Sequence, residues 1–192
     1  MGWIVLLAAA GLFVVVLLWF VAMYNTLVRQ RVDCDNGWSQ IDVQLKRRYD
    51  LIPNLVETVK GYAAHEKGTL EAVIQARQQA VAVSSDGAHA AEKALAENAI
   101  TQALGRLFAL SEAYPQLKAD ANFRQLQEEL ASTENKVGFA RQHYNDCVGR
   151  YETSRQTFPT NIVAGAFSFQ QREYFRVEAS AEREAPKVSF SN

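Results

Sequence analysis

The first 28 residues, MGWIVLLAAAGLFVVVLLWFVAMYNTLV, contain no Asp, Glu, Lys or Arg, and every charged side chain lies at or after Arg29. The run is apolar on all sides, with no helical period that would leave one face for water. A bilayer core requires about 20 such residues in a helix. Trp3 and Tyr24 lie 21 positions apart, about 31 Å at the helical rise, which matches the ~30 Å hydrocarbon thickness. Trp3 at one end, with Trp19 and Tyr24 toward the other, suit interfacial anchors. A cleaved signal peptide would need a basic stretch before Ala8-Ala9-Ala10, and none is present; apolar residues also continue past that point. Residues 1–28 therefore predict one uncleaved membrane span.

Arg29 and Arg31 follow the span directly, whereas its other flank offers only the terminal amine. The positive-inside rule then places a short N-terminus outside and the body, residues 29–192, in the cytoplasm. That body is close to neutral, since the chain has 20 Lys+Arg against 21 Asp+Glu. A nucleic-acid partner, which calls for a large basic excess, is not expected.

From Trp38 onward apolar residues fall at alternating steps of three and four, the period of helices packed side by side. One stripe runs Trp38, Ile41, Leu45, Ile52, Leu55, Val59 and Tyr62, with Arg48 in the slot between Leu45 and Ile52. A middle stripe passes through Ala96, Ile100, Ala103 and Leu107, and a late one through Phe123, Leu126, Leu130, Val137, Tyr144 and Cys147. The predicted core is Trp38, Ile41, Leu45, Ile52, Leu55, Val59, Leu107, Leu126, Leu130, Val137 and Tyr144. Helices are expected over about 36–83, 88–112 and 122–157. Turn chemistry separates them at Ser84-Ser85-Asp86-Gly87 and at Tyr114-Pro115, and Asp120 and Asn122 are candidate N-caps. Pro53 removes the hydrogen bond to the Tyr49 carbonyl. It predicts either a kink near 49–53 or a new helix capped by Asp50. The fold class is all-α: a single transmembrane helix (1–28), then an antiparallel up-and-down bundle of three to four long helices (29–157). An aromatic-rich tail (158–192) follows.

No GxxxxGK[ST], GxSxG, HExxH or CxxC occurs, and the three histidines are scattered. Asp42, Asp50, Glu57 and Glu66 recur along one helix face, but none has the Glu-x-x-His partner that a bundle metal site uses. Cys147 falls on an apolar stripe, where a packed thiol is expected, not a nucleophile. Catalytic, cofactor and metal residues are accordingly predicted as none. In the tail, Phe158, Phe167, Phe169, Tyr174, Phe175 and Phe190 are too irregularly placed for one helix. They suit either a strap over the chain's own bundle or aromatic anchors for another subunit.

The stretch from Trp38 to Glu66, with RRYDLIPNLVETVKGYA at its centre, resembles the signature of the LemA family of bacterial membrane proteins. Phe158-Pro159, Arg172-Glu173-Tyr174-Phe175 and the closing Pro186-Lys187-Val188-Ser189-Phe190 fit the same pattern. The resemblance implies a bacterial inner-membrane protein with one span, a cytoplasmic helical body and no known enzymatic activity. Magnetosome membrane proteins among its relatives point toward membrane organisation. The expected function is a non-enzymatic, membrane-anchored scaffold that forms homo-oligomers and contacts membrane or cytoplasmic protein clients, without a cofactor. The alternative is a regulatory adaptor docking a client such as a protease or kinase. Partner or assembly contacts are expected at Arg47, Arg48, Asp50, Pro53, Asn54 and Glu57, and in the tail at Phe167, Phe169, Tyr174 and Phe175.

Overall fold

A computed structural model of the chain describes residues 1–84 and 86–176. Its first helix, α1, runs from Gly2 to Tyr62 without interruption, about 90 Å at 1.5 Å per residue. The helix contains a window long and apolar enough to cross a membrane, and none of that window is buried within the chain. Burial begins at Leu27 and then recurs through Cys34, Trp38, Ile41, Leu45, Ile52, Leu55 and Val59. One helix thus changes environment midway along its length.

Beyond α1 every regular element among the described residues is helical, with no strand, and 167–176 is irregular. These elements are α2 (Lys67–Ala82), a 3-10 turn (Gly87–His89), α3 (Ala90–Ser111), α4 (Pro115–Ala119), α5 (Ala121–Gln156) and α6 (Thr160–Ala166). The long helix α5 runs antiparallel to α1. Trp38 meets Tyr144 edge to face at 5.3 Å, Arg48 meets Glu134 further along, and Tyr62 reaches Asp120 at the far end. Gly37 permits their closest approach: a Cβ there would lie 3.3 Å from the Tyr144 Cα. A second antiparallel pair, α2 and α3, folds onto the C-terminal part of α1. Asp86 opens its turn by accepting from the Ala88 and His89 amides, each at 3.1 Å.

The break in the helix expected over 36–83 falls elsewhere. Pro53 is carried inside α1, Asp50 caps no new helix, and the chain turns at Ala63–Glu66 instead. Two long-range contacts hold that corner. The Tyr62 hydroxyl donates to Asp120 Oδ2 at 2.9 Å, and the Tyr114 hydroxyl donates to Glu66 Oε1 at 3.1 Å. Asp120 also accepts from the Phe123 amide at 2.9 Å and so caps α5. Of the expected core residues, Leu126 is half-buried and the others are buried.

Leu55 and Leu130 sit in this core, so Leu55→Ala and Leu130→Ala should each cost about 2–5 kcal/mol in chemical denaturation. Leu126→Ala should cost less. Equal, negligible effects at all three positions would refute the packing.

Candidate functional site

Pro53 lacks an amide hydrogen, so the Tyr49 carbonyl loses its partner four residues on. Arg77 of α2 replaces it, donating from Nε to Tyr49 O at 2.7 Å. The side chains just upstream face inward toward α3, where Arg48 Nη1 meets Glu97 Oε2 at 3.0 Å and the Tyr49 hydroxyl donates to Glu97 Oε1. The other arm of Arg48 donates to Thr101 Oγ1 at 2.8 Å and pairs with Glu134 of α5 at 2.9 Å. Lys93 donates to the Ala80 and Val83 carbonyls and lies 5.4 Å over the Tyr49 ring. One residue pair on α1 therefore ties together three other helices.

Arg48 is 3% exposed and Glu97 4%. Burial raises the Glu97 pKa above the ordinary 4.5, against hydrogen bonds from Tyr49 and the charges of Arg48 and Lys93. Burial likewise lowers Lys93 and, with Glu97 adding to the effect, raises Tyr49. The Arg48 and Glu97 groups are already hydrogen-bonded to one another and to their neighbours. The cluster ties α1 to α3 and α5 through these contacts. Arg48 was expected among partner contacts and is instead spent inside the chain.

Its sequence neighbour Arg47 points outward, 3.8 Å from Glu129 on a solvated face. Asp50, Pro53, Asn54 and Glu57 are exposed on the same helix. Gln40, Val43, Arg47, Asp50, Asn54 and Glu57 form an outer row at alternating steps of three and four. Beside the first part of this row a groove of about 580 Å³ opens between α1 and α5, bordered by Gln40, Val43, Gln44, Lys136, Phe139 and His143. Val43 and Phe139 are both uncovered there, Phe139 at 73% exposure.

The tail, through Arg176, lies on its own chain. Phe169 packs between Tyr24 and Arg31, and Phe175 between Trp38 and Arg141. Asn145 grips the Phe175 backbone from both sides, accepting from its amide at 2.9 Å and donating to its carbonyl at 3.1 Å. The Tyr144 and Tyr151 hydroxyls donate to the Glu173 and Gln170 carbonyls, and Arg172 pairs with Asp35 at 2.7 Å. Phe169 and Phe175, expected as contacts to a partner, are buried in cis: the Phe169 amide donates to the Ala164 carbonyl of α6 at 2.9 Å, and Asn145 of α5 holds the Phe175 backbone. Tyr174 is half-buried and Phe167 largely exposed. Pro186–Phe190 lies outside the described residues.

Cys34 and Cys147 are buried free thiols. Burial, then the neighbouring Cys147, raises the Cys34 pKa to about 11. Cys147 Sγ lies 3.8 Å from His143 Nε2 and 3.3 Å from an Arg150 nitrogen. Among the described residues no group of three or more His, Cys, Asp or Glu could hold a metal ion.

Residues 37–190 match the LemA family. Among curated proteins, the chain is similar to magnetosome protein MamQ 1 of Paramagnetospirillum magneticum (strain AMB-1), at 24% identity over 83% of this chain and 66% of the relative. Magnetosome protein MamQ of Magnetospirillum gryphiswaldense matches with the same identity and coverage. Protein LemA of Metamycoplasma hominis is 27% identical over 83% of this chain and 74% of its own length. The chain thus spans about two thirds of the length of the MamQ proteins.

Removing the Arg77 donor should cost about 1.5–3 kcal/mol, as for a hydrogen bond from a charged group. In a Pro53→Ala background the restored amide answers Tyr49, and Arg77→Ala should cost clearly less; equal costs in the two backgrounds would contradict the pairing. Glu97 gives a pH test. Its folded pKa is raised, so its contribution to stability is full below pH 4.5 and falls as pH rises through the folded value. Unfolding free energies of wild type and Glu97→Gln should therefore diverge in the variant's favour as pH rises over that range.

Proposed function

The chain belongs to the LemA family, and from that premise we propose that it is a non-enzymatic, membrane-anchored scaffold that assembles with copies of itself. On this proposal α1 spans a bacterial inner membrane, with Trp3, Trp19 and Tyr24 at its boundaries and Arg29 and Arg31 on the cytoplasmic side. The second part of α1 with α2, α3 and α5 acts as an antiparallel bundle on the cytoplasmic side. Its work is contact, and it needs no cofactor.

The observation that carries the proposal is the groove between α1 and α5. Val43 and Phe139 stand uncovered on the two longest helices. Gln40, Gln44, Lys136 and His143 border them, and Arg47 follows one turn on along α1, a polar rim around an apolar centre that suits a second copy of the same face. An aromatic anchor ringed by polar groups is the usual make-up of a binding hot spot. The MamQ relatives are magnetosome proteins by name, which favours a part in organising membranes for this chain as well.

The full chain in detergent should run above monomer mass by native mass spectrometry at micromolar concentration. Phe139→Glu should shift it to monomer with unchanged helicity by circular dichroism. A wild-type chain that is strictly monomeric in detergent and in vesicles would overturn self-assembly.

A further inference from the structure

The segment from Gln156 through Gln171 carries no charged residue, although it lies in the polar body of the chain. It contains α6, whose Val163 and Ala164 are buried, while Phe158, Ile162 and Phe167 are 74%, 58% and 52% exposed. α6 thus presents one face to the chain and leaves an aromatic and aliphatic face uncovered.

Its place in the fold gives that face a meaning. Phe167 packs on Tyr24 at 4.8 Å and on Phe20 at 6.1 Å between ring centroids. Those residues precede Arg29 by five and nine positions, about 8 and 14 Å toward the apolar end of α1. α6 therefore sits on the membrane side of the first charged residue, against the last turns of the apolar run. The nearest charged residues in sequence, Arg155 and Arg172, are paired with Glu152 and Asp35. Arg29 and Arg31 of α1 lie just beyond, at the level expected for headgroups. An uncharged segment placed beside a span, with its bulky side chains outward, has the make-up of an interfacial lipid contact, buried about 5–10 Å at the headgroup and acyl boundary.

We propose that α6, through Phe158, Ile162 and Phe167, inserts into the lipid boundary as a shallow second membrane contact beside α1. The proposal rests on α1 being the span. A lone helix leaves the body free to tilt on its anchor. A wedge on one side limits that tilt by holding a second point of the chain at the lipid boundary.

Nitroxide labels test this on the full chain in mixed phosphatidylcholine and phosphatidylglycerol vesicles. Labels are placed at Val14→Cys, Phe158→Cys, Ile162→Cys and, as a water-exposed reference, Gly138→Cys, with Cys34 and Cys147 changed to Ala. Labels at 158 and 162 should collide more with oxygen than with an aqueous nickel complex, less deeply than the label at 14 and opposite to that at 138. If 14 reads as lipid while 158 and 162 read as water, the wedge is overturned and the span stands. If 158 and 162 are shielded from both reagents, another protein covers them and the wedge is again overturned. If 14 itself reads as water, the span fails. The wild-type chain gives a check free of substitutions: a phospholipid photoreactive in its upper acyl chain should cross-link the 157–171 segment. Cross-links confined to α1 would overturn the proposal.

Discussion

A single helix carries two kinds of surface. The first turns of α1 expose apolar side chains on every side, and from Leu27 onward the same helix buries one residue in three or four against protein. No breaker separates the two regimes, so the backbone hydrogen-bond ladder runs from one into the other. Everything else follows from that continuity. The α5 helix and the α2–α3 pair pack on the second part of α1, the tail reaches from Trp38 back to Phe20, and the corner at Ala63–Glu66 closes where α1 ends. A body built this way cannot be displaced from its anchor without breaking a helix.

The joints between helices are polar as much as apolar. Arg48 and Tyr49 share one buried carboxylate on α3, and Arg77 answers a carbonyl that Pro53 leaves open. Buried ion pairs contribute little net stability, because desolvation offsets most of the attraction, while breaking one is costly. Their use here is registration. A slip of α3 along α1 would strand Arg48 or Glu97 uncompensated, so only one arrangement satisfies all the partners. That accounts for the RRYD…P run as a structural device, with Arg47 and Asp50 left outward.

Much of the architecture was legible because helical period survives in the sequence. The stripe from Trp38 to Val59 names the buried face of α1, and Asp120 caps α5 as its position suggested. Arg48 stood in the slot of that stripe, a sign of its burial that the charge of its side chain obscured. The turn at Ala63–Glu66 was not legible, since Ala-Ala-His-Glu contains neither Pro nor Gly; the corner depends on Asp120 and Tyr114, more than forty positions away. Pro53 announced an orphaned carbonyl but could not name Arg77 as its donor. The tail's aromatics read alike whether they pack in cis or in trans, and only the partners on α5, Asn145, Tyr144 and Tyr151, decide.

The continuity of α1 from its apolar run into the body can be measured as a distance. Spin labels at Val16→Cys and Lys46→Cys, in the chain reconstituted into vesicles with Cys34 and Cys147 replaced, sit thirty residues apart on one helix. A continuous α1 gives a narrow distance distribution centred near 45 Å, at 1.5 Å per residue. A broad or markedly shorter distribution would mean that span and body are separate helices joined by a hinge, and would contradict the account.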